Sequence, residues 1–229
     1  MKIIGIDNSI TSPGIVIMEL NDSFEILNQR FITCTTIKKY SFKDCNGEVI
    51  YYKDTFNSQY EKIQSLHNIV MNRIGNPNDY DFIAIEDYSF ASKGQTFSIA
   101  ESTGLLKDRF YNANIPIRLY AVPSIKQFMT QKGNADKIRM EEYYEKKSYK
   151  FDLSFLPKLY ESRNAKNPKD NIIDAHAIVM MLRFELMYRN GITCYDDINR
   201  HIFIEKTKKS KIIPYVLQDF IYKPLDLER

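Results

Sequence analysis

The 229-residue sequence has no tryptophan, only three cysteines, and eight residues each of glycine and proline. Cys34, Cys45 and Cys194 are odd in number and widely separated, which excludes both a disulfide framework and the short spacings of a zinc site. We therefore expect a reducing compartment. The sequence also lacks an apolar run of transmembrane length and opens on KIIGID in place of a secretory signal, so we expect a cytoplasmic protein with no membrane partner.

A large excess of either charge is also absent, since 32 Lys and Arg oppose 29 Asp and Glu. The basic residues are nevertheless unevenly distributed. Five face one acid between Arg200 and Lys211, and eight face four acids between Arg118 and Lys150. Such clusters are either contact surfaces for nucleic acid or solvated faces. With 44% hydrophobic residues the chain is able to bury a core, and its length suits one domain of ordinary size.

Short apolar runs separated by polar turns predict five β-strands. In chain order these runs are KIIGID, GIVIMEL, FEILNQRFITCTTI, DFIAIED and IPIRLYAV. The first three follow one another closely and predict an antiparallel meander, whereas the fourth is apolar almost throughout, which is typical of a central parallel strand. Between the third and fourth runs, Asn46-Gly47 is a turn signal that predicts an additional hairpin.

Helical periodicity and helix-start signals predict five helices. They cover residues 58–74, 95–111, 124 onward, 135–147 and 168 onward. Ser124 and Gln127 fit a capping box, and Asn167-Pro168 fits the N-cap and first residue of the last helix. The order of elements indicates an α/β fold with a mixed five-stranded sheet flanked by helices. We assign this domain to residues 1–190 and treat residues 191–229 as a C-terminal extension packed on it or following it.

Three acids occupy positions that favour a common site. Asp7 and Glu86 each end an apolar strand, and Asp174 lies within the apolar helix KDNIIDAHAIVMMLRF. Asp7 or Glu86 alone is more simply a turn or cap residue, whereas Asp174 has apolar residues on both sides. Neighbouring strand ends meet at one edge of a sheet, which favours a common site. Clustered carboxylates need raised pKa values or a neutralising cation, and an all-oxygen ligand set suits Mg²⁺ or Mn²⁺. Two such ions can activate water and stabilise the leaving oxygen of a phosphodiester, which is nuclease chemistry.

Four longer segments carry a resemblance to a known family. They are IGIDNSITSPGIVI, FIAIEDYSF, VPSIKQFMTQKGNADK and NPKDNIIDAHAIVMM. In this order they resemble the two acidic strands, the basic segment and the last acidic helix of the RuvC family of Holliday junction resolvases. The resemblance is to the forms carried by bacteriophages and implies a ribonuclease H-like fold. It covers roughly residues 1–187, with gaps.

The resemblance implies an enzyme that resolves four-way DNA junctions by paired symmetric nicks, with two Mg²⁺ ions and Mn²⁺ as a substitute. Asp7, Glu86 and Asp174 match the family's metal ligands. The family's remaining helix ligand corresponds to Asn171, which offers a neutral oxygen but no charge. Asp170, one residue earlier, supplies a charge. We therefore favour Asp170 as the fourth ligand, directly or through a water, while a helix-cap role for it stays open.

The basic segment and its surroundings are expected to contact DNA. Lys126 and Lys137 fall on the family's two functional lysines, and Lys132 lies between them. Lysines on a helix start and loop contact phosphates, and Lys126 could also stabilise charge on the scissile phosphate. Tyr88 and Phe90 follow Glu86 and are candidates for stacking on unpaired bases, with core packing as the alternative.

Family members are homodimers, so we expect a homodimer here, with the helix at 95–111 as the candidate interface and the host cell interior as the location of a phage form. The sequence departs from the family at Asn8, where the family usually has proline, and in the Gln131-Lys132-Gly133 stretch. The hairpin at 38–56, the connector at 148–166 and the tail are longer than in the bacterial enzyme. These departures concern substrate range more than chemistry.

Three other functions are compatible with parts of the pattern. A broader nuclease of the same fold, which cuts flaps, forks or packaging intermediates, would have the same acids. An inactive branched-DNA-binding protein would be expected to lose an acid, yet Asp7, Glu86 and Asp174 are all present. An actin-like ATPase would need a second phosphate loop, and its only candidate, ESTGLL, lies within a predicted helix.

Overall fold

The computed structural model describes residues 1–87, 96–159, 167–192, 202–204 and 213–221. Seven strands in these ranges form one mixed sheet: β1 (Lys2–Asp7), β2 (Gly14–Leu20), β3 (Ile26–Thr35), β4 (Phe42–Lys43), β5 (Gly47–Tyr51), β6 (Phe82–Glu86) and β7 (Ile117–Tyr120). Their order across the sheet is β4-β5-β3-β2-β1-β6-β7. The sheet therefore places β1 and β6 side by side near one end of the row.

Strand directions confirm the predicted mixed sheet. β1, β2 and β3 are antiparallel neighbours, and β6 pairs in parallel with both β1 and β7. The expectation of five strands was wrong in number, because the hairpin at Asn46-Gly47 contributes β4 and β5 to the same sheet. β5 pairs in parallel with β3, whose outer edge would otherwise present unpaired backbone groups.

Five helices cover the two faces of the sheet. They are α1 (Gln59–Ile74), α2 (Thr96–Asn112), α3 (Val122–Thr130), α4 (Lys137–Tyr144) and α5 (Lys169–Arg189). α1 and α2 share a buried cluster with one set of strand side chains, while α3, α4 and α5 share another with the opposite set. The sequence periodicity of α1 is confirmed, since Ile63, Leu66, Val70 and Ile74 are buried.

α5 crosses β1 at unusually close range. A Cβ at Gly5 would lie 2.6 Å from the carbonyl oxygen of Ala175, and a Cβ at Gly14 would clash with the backbone of Asn171. Only glycine permits this approach of helix backbone to strand. The contact fixes the position of the first turns of α5 relative to the carboxyl end of β1.

Two predicted helix starts differ from the observed ones. α3 begins at Val122, and Ser124 lies inside the helix and is buried, so the capping box with Gln127 was wrong. α5 has Pro168 at the N-cap, and the Asn167 side chain still accepts a 3.1 Å hydrogen bond from the Lys169 backbone. The shift arises because Asn167 also donates to the Pro157 carbonyl, which draws it out of the N-cap position.

Part of the C-terminal extension packs on the sheet domain. Residues 213–221 include a short 3₁₀ turn, Tyr215–Leu217, and Tyr215 belongs to the same buried cluster as α5. Ile221 forms a backbone bridge with Ile117 of β7. Across the ranges that are described, no helix is both long and apolar enough to span a lipid bilayer.

Candidate active site

A pocket of about 240 Å³ lies where the carboxyl ends of β1 and β6 meet the first turns of α5. Its wall combines apolar side chains from α3, α4 and α5 with a polar set. The polar residues are Asp7, Glu86, Lys126, Lys137, Asp170, Asn171 and Asp174. The structure thus brings together all the acids and two of the lysines that the sequence singled out.

The local fold explains why these acids converge. β1 and β6 run in parallel with Ile6 opposite Ile85, so the next residues, Asp7 and Glu86, emerge side by side. Asp174 precedes Ala175, whose carbonyl lies against Gly5 of the same strand as Asp7. The three carboxylates therefore come from three elements whose relative positions are fixed by backbone contacts.

The three carboxyl groups disfavour ionisation in one another. Burial, followed by the charges of Glu86, Asp174 and Asp170, raises the pKa of Asp7 well above its ordinary value. Burial and Asp174 raise the pKa of Glu86 to about 7, and burial and Asp170 raise the pKa of Asp174 to about 7. When ionised, these carboxylates repel one another, and a bound cation would offset that repulsion.

Two lysines supply positive charge within the pocket. Lys126 of α3 lowers the pKa of both Glu86 and Asp174, which partly offsets the effect of burial. Lys137, the first residue of α4, forms an ion pair with the Oδ2 atom of Asp170. Burial lowers the pKa of Lys137, but the charge of Asp170, the hydrogen bond to it and the charges of Asp174 and Asp7 together raise the pKa more, so the net shift is upward. The Lys137 ammonium is therefore charged near neutral pH.

Asp170 and Asn171 differ in the contacts of their side chains. Asp170 is 8% exposed, and its Oδ1 atom is buried with no hydrogen-bond partner among the described residues. The amide of Asn171 donates to the Ser12 carbonyl, in the loop between β1 and β2. Asp170 accepts no hydrogen bond from the backbone of α5, since its Oδ2 atom pairs with Lys137 and the Asn167 side chain bonds the first backbone N–H of the helix. An unpaired, buried carboxylate oxygen is costly unless a further partner binds it.

The donor set fits a hard divalent cation by its chemistry. Four carboxylates line one pocket, and one buried oxygen of Asp170 has no partner. Oxygen ligands of this kind suit Mg²⁺ or Mn²⁺. Among the described residues, no three His, Cys, Asp or Glu side chains stand close enough together to hold one ion in this conformation. The fit therefore rests on the oxygen donors and on the electrostatics of the pocket.

The remaining predicted DNA contacts lie elsewhere. Lys132 is exposed in the turn after α3, outside the pocket lining. Tyr88 and Phe90 lie outside the described residues, as do the lysines of the basic cluster between 200 and 211. The structure consequently describes the acidic centre and the basic segment at 122–137, but not the aromatic candidates or the lysines of the second basic cluster.

Sequence reasoning missed a buried polar cluster beside Asp7. The Asn8 amide donates to Ser102 Oγ at 3.1 Å and to Thr103 Oγ1 at 3.0 Å, and Ser102 Oγ lies 2.9 Å from His67 Nε2. Burial lowers the pKa of His67 to about 4, so its ring is neutral at pH 7. The departure at Asn8 was the available signal, but its partners lie 94 and 95 residues away in the chain.

Comparisons with solved structures identify the fold. A scan against protein-family models and a search of curated proteins gave no match. The chain is similar to the Thermus thermophilus RuvC structure, with a TM-score of 0.51 and 16% identity over 84% of this chain and 98% of that one.

Two further solved structures are more distant. A fowlpox virus resolvase in complex with Holliday junction DNA has a TM-score of 0.45 and 15% identity over 82% of this chain and 99% of that one. The yeast mitochondrial Holliday junction resolvase Ydc2 has a TM-score of 0.47 and 15% identity over 83% and 81%. The likeness to the Thermus structure confirms the predicted ribonuclease H-like fold of RuvC.

Proposed function

We propose that the chain is a metal-dependent, structure-selective endodeoxyribonuclease that resolves four-way DNA junctions by paired symmetric nicks. One observation carries the proposal: four carboxylates and two lysines from five elements line one pocket at the carboxyl ends of β1 and β6. The RuvC fold and the four matching sequence segments support the choice of DNA junctions as substrate. Since a fold does not define a substrate, four-way junctions are compared directly with other DNA structures.

The acids have a consistent role in this reaction. Asp7, Glu86, Asp170 and Asp174 would hold two Mg²⁺ ions, with Mn²⁺ as a substitute. When bound, such ions activate a water and stabilise the leaving oxygen of a phosphodiester. Burial and neighbouring carboxylates raise the pKa values of Glu86 and Asp174 to about 7, so these side chains would release their protons when they hold a cation near neutral pH.

The lysines have distinct roles. Lys126 lines the pocket from α3 and would donate to the scissile phosphate, whose negative charge grows as the bond breaks. Lys137 pairs with Asp170 and would hold that carboxylate in place and contact phosphate beside it. Lys132 is exposed, lies between Lys126 and Lys137 in the sequence, and would contact the DNA backbone. Tyr88 and Phe90 would stack on unpaired bases.

We further propose a homodimer. A two-fold dimer presents two equivalent sites to a two-fold symmetric junction, which explains paired nicks. α2 is the proposed interface, and its Phe97 is 91% exposed, which supports a surface that a second copy would cover. Sedimentation of the purified protein is expected to give a dimer, and a monomer at every concentration tested would contradict this part of the proposal.

The test of function offers synthetic four-way, three-way, flap and linear DNA to the protein with Mg²⁺ and maps the cuts. We expect symmetric paired nicks in the four-way junction and little cutting of linear DNA. Asp7→Asn, Glu86→Gln and Asp174→Asn should each lower the cleavage rate by at least about 100-fold while junction binding persists. Equal cutting of flaps would favour the broader nuclease, and no cutting of any branched DNA would refute the proposal.

A further inference from the structure

The segment 213–221 lies along the open edge of the sheet. Ile117 of β7 and Ile221 exchange two backbone hydrogen bonds of 2.7 and 2.9 Å. The Arg118 guanidinium, 3% exposed, donates to the carbonyls of Gln218 and Asp219 at 2.9 and 3.0 Å. An edge strand otherwise presents unpaired backbone groups to solvent. This segment therefore supplies backbone hydrogen-bond partners to the outer edge of β7.

Tyr215 is the part of this segment that enters the domain core. Its side chain is 2% exposed, and its ring packs edge-on against Tyr120 with centroids 4.8 Å apart. Its hydroxyl accepts a 3.0 Å hydrogen bond from the backbone N–H of Ala121, and the Ser124 side chain is its second hydrogen-bond partner. A buried phenol with two partners holds both of them in a fixed relation.

Both partners lie where β7 turns into α3. Ala121 occupies the N-cap of α3, and no side chain of the cap itself bonds the helix. On the other side of this junction, Tyr120 pairs with Glu86 in the sheet and accepts a 2.8 Å hydrogen bond from the Asp87 backbone. The Tyr215 hydroxyl therefore contacts the short connection between the strand neighbouring Glu86 and the helix that carries Lys126.

We propose that Tyr215 is a positioning residue, whose hydroxyl fixes the β7–α3 junction so that Lys126 faces Glu86 and Asp174 in the pocket. The inference rests on the proposed nuclease function. Tyr215 does not line the pocket, so it acts through α3 and not on DNA. The C-terminal extension thereby becomes part of the machinery of the site, because a small displacement of α3 moves the Lys126 ammonium away from the reacting phosphate.

The test is Tyr215→Phe, which keeps the buried ring and removes only the hydroxyl. We expect the single-turnover rate of junction cleavage at saturating Mg²⁺ to fall about tenfold or more. The dissociation constant for the junction should stay within about twofold, since one displaced lysine is a small share of the phosphate contacts. The matched control is Tyr80→Phe, which removes another buried hydroxyl, the donor of a 2.7 Å bond to the Ile74 carbonyl. It should keep the wild-type rate.

A double-mutant comparison separates positioning from general destabilisation. If Tyr215 acts through Lys126, Tyr215→Phe should cause no further loss in a Lys126→Ala background. A full tenfold loss in that background, or an equal loss in Tyr80→Phe, would overturn the inference.

Foldedness and function are checked separately. If Tyr215→Phe does not fold cooperatively, Ser124→Ala is used in its place, because it removes a hydrogen-bond partner of the same hydroxyl. A similar loss of cleavage rate in Ser124→Ala supports the inference, and a wild-type rate overturns it. A wild-type protein that cleaves no DNA refutes the proposed function and this inference together. A cleaving wild type whose Tyr215→Phe variant is equally fast refutes only the inference.

Discussion

At the scale of single residues, Asp170 and Asn171 offer adjacent oxygens with different existing contacts. Asp170 has one oxygen paired with Lys137 and one buried oxygen without a hydrogen-bond partner in the described chain. Asn171 uses its amide on the Ser12 carbonyl, so its side chain stabilises the loop after β1. A charged oxygen also binds a cation more strongly than a neutral one. These contacts support Asp170 as the fourth ligand.

The corresponding prediction compares Asp170→Asn with Asn171→Ala. Asp170→Asn should lower the cleavage rate by at least about tenfold and raise the Mg²⁺ concentration needed for half activity, because one negative ligand is lost. Asn171→Ala should change the Mg²⁺ requirement little and mainly lower thermal stability. Measurement of rate against Mg²⁺ for both variants decides between them. A silent Asp170→Asn beside a damaging Asn171→Ala would return the ligand role to Asn171.

At the scale of elements, the relation between α4 and α5 depends on a buried ion pair behind the site. Lys169 Nζ lies 2.6 Å from Glu141 Oε1, and both side chains are at most 5% exposed. The other Glu141 oxygen accepts a 2.9 Å hydrogen bond from the Leu159 backbone. The same two helices meet again at the pocket through Lys137 and Asp170. The buried pair and the pocket pair therefore join the same two helices at two places.

We predict that Glu141→Gln destabilises the protein by about 3 kcal/mol, since it leaves the Lys169 charge buried and unpaired. Gln still accepts the hydrogen bond from the Leu159 backbone, so the loss of unfolding free energy reports the removal of the Glu141 charge alone. The double variant Glu141→Gln with Lys169→Met should recover much of this loss, because no buried charge remains. Urea unfolding measures both free energies.

The matched control for this element is Glu145→Gln at the end of the same helix. Its partner Lys150 lies 2.9 Å away, but both side chains are more than a third exposed. Exposed ion pairs contribute about 0.5 kcal/mol, so a small effect is expected. Losses of equal size in Glu141→Gln and Glu145→Gln would contradict the special role of the buried pair.

At the scale of the whole molecule, the acidic pocket makes stability depend on pH. Burial, with the charge of Asp170, raises the folded-state pKa of Asp174 to about 7, whereas the unfolded value is about 3.9. Between about pH 4 and 7 the folded protein keeps a proton that the unfolded chain has released. The contribution of Asp174 to stability is therefore greatest below this window, falls as pH rises through it, and stays low above pH 7.

Asp174→Asn removes this titration while keeping the side-chain shape. Relative to wild type, the variant should gain on the order of 2 kcal/mol in unfolding free energy between pH 5 and pH 8 in the absence of divalent metal. Burial lowers the pKa values of His67 and His176 to about 4, so these histidines also make stability depend on pH. Their contribution is common to both proteins and drops out of the comparison. Asp22→Asn, at an exposed turn, controls for the loss of one negative charge.

Addition of Mg²⁺ gives an independent reading of the same site. At pH 8 it should raise the unfolding free energy of wild type, because a cation bound only by the folded state stabilises that state. Asp174→Asn should respond much less. The interpretation would be contradicted if the difference in unfolding free energy between the two proteins did not change with pH and both responded equally to Mg²⁺. Asp174 would then have no raised pKa in the folded protein and no part in binding the cation.

The sequence alone indicated most of the strands and helices, and it singled out the acids that line the pocket, because each leaves a local signal. An apolar run that ends in Asp7 or Glu86 is read without knowledge of its neighbours, and the period of α1 fixed its buried face. The same locality explains two errors. The capping box at Ser124 fits the sequence, yet Ser124 is buried inside α3, and the extra hairpin was visible while its attachment to the edge of β3 was not.

The contacts between these elements follow from the three-dimensional fold and have no local signal in the sequence. The pairing of Lys137 with Asp170 joins residues 33 positions apart, and the bonds from Asn8 to α2 and from Tyr215 to Ala121 each span more than 90 positions. No local pattern encodes such contacts, since they depend on how closely α5 approaches Gly5 and on where the C-terminal segment reaches β7. The sequence specifies the chemical groups, and the close packing of backbone segments that are distant in the chain places particular groups next to one another.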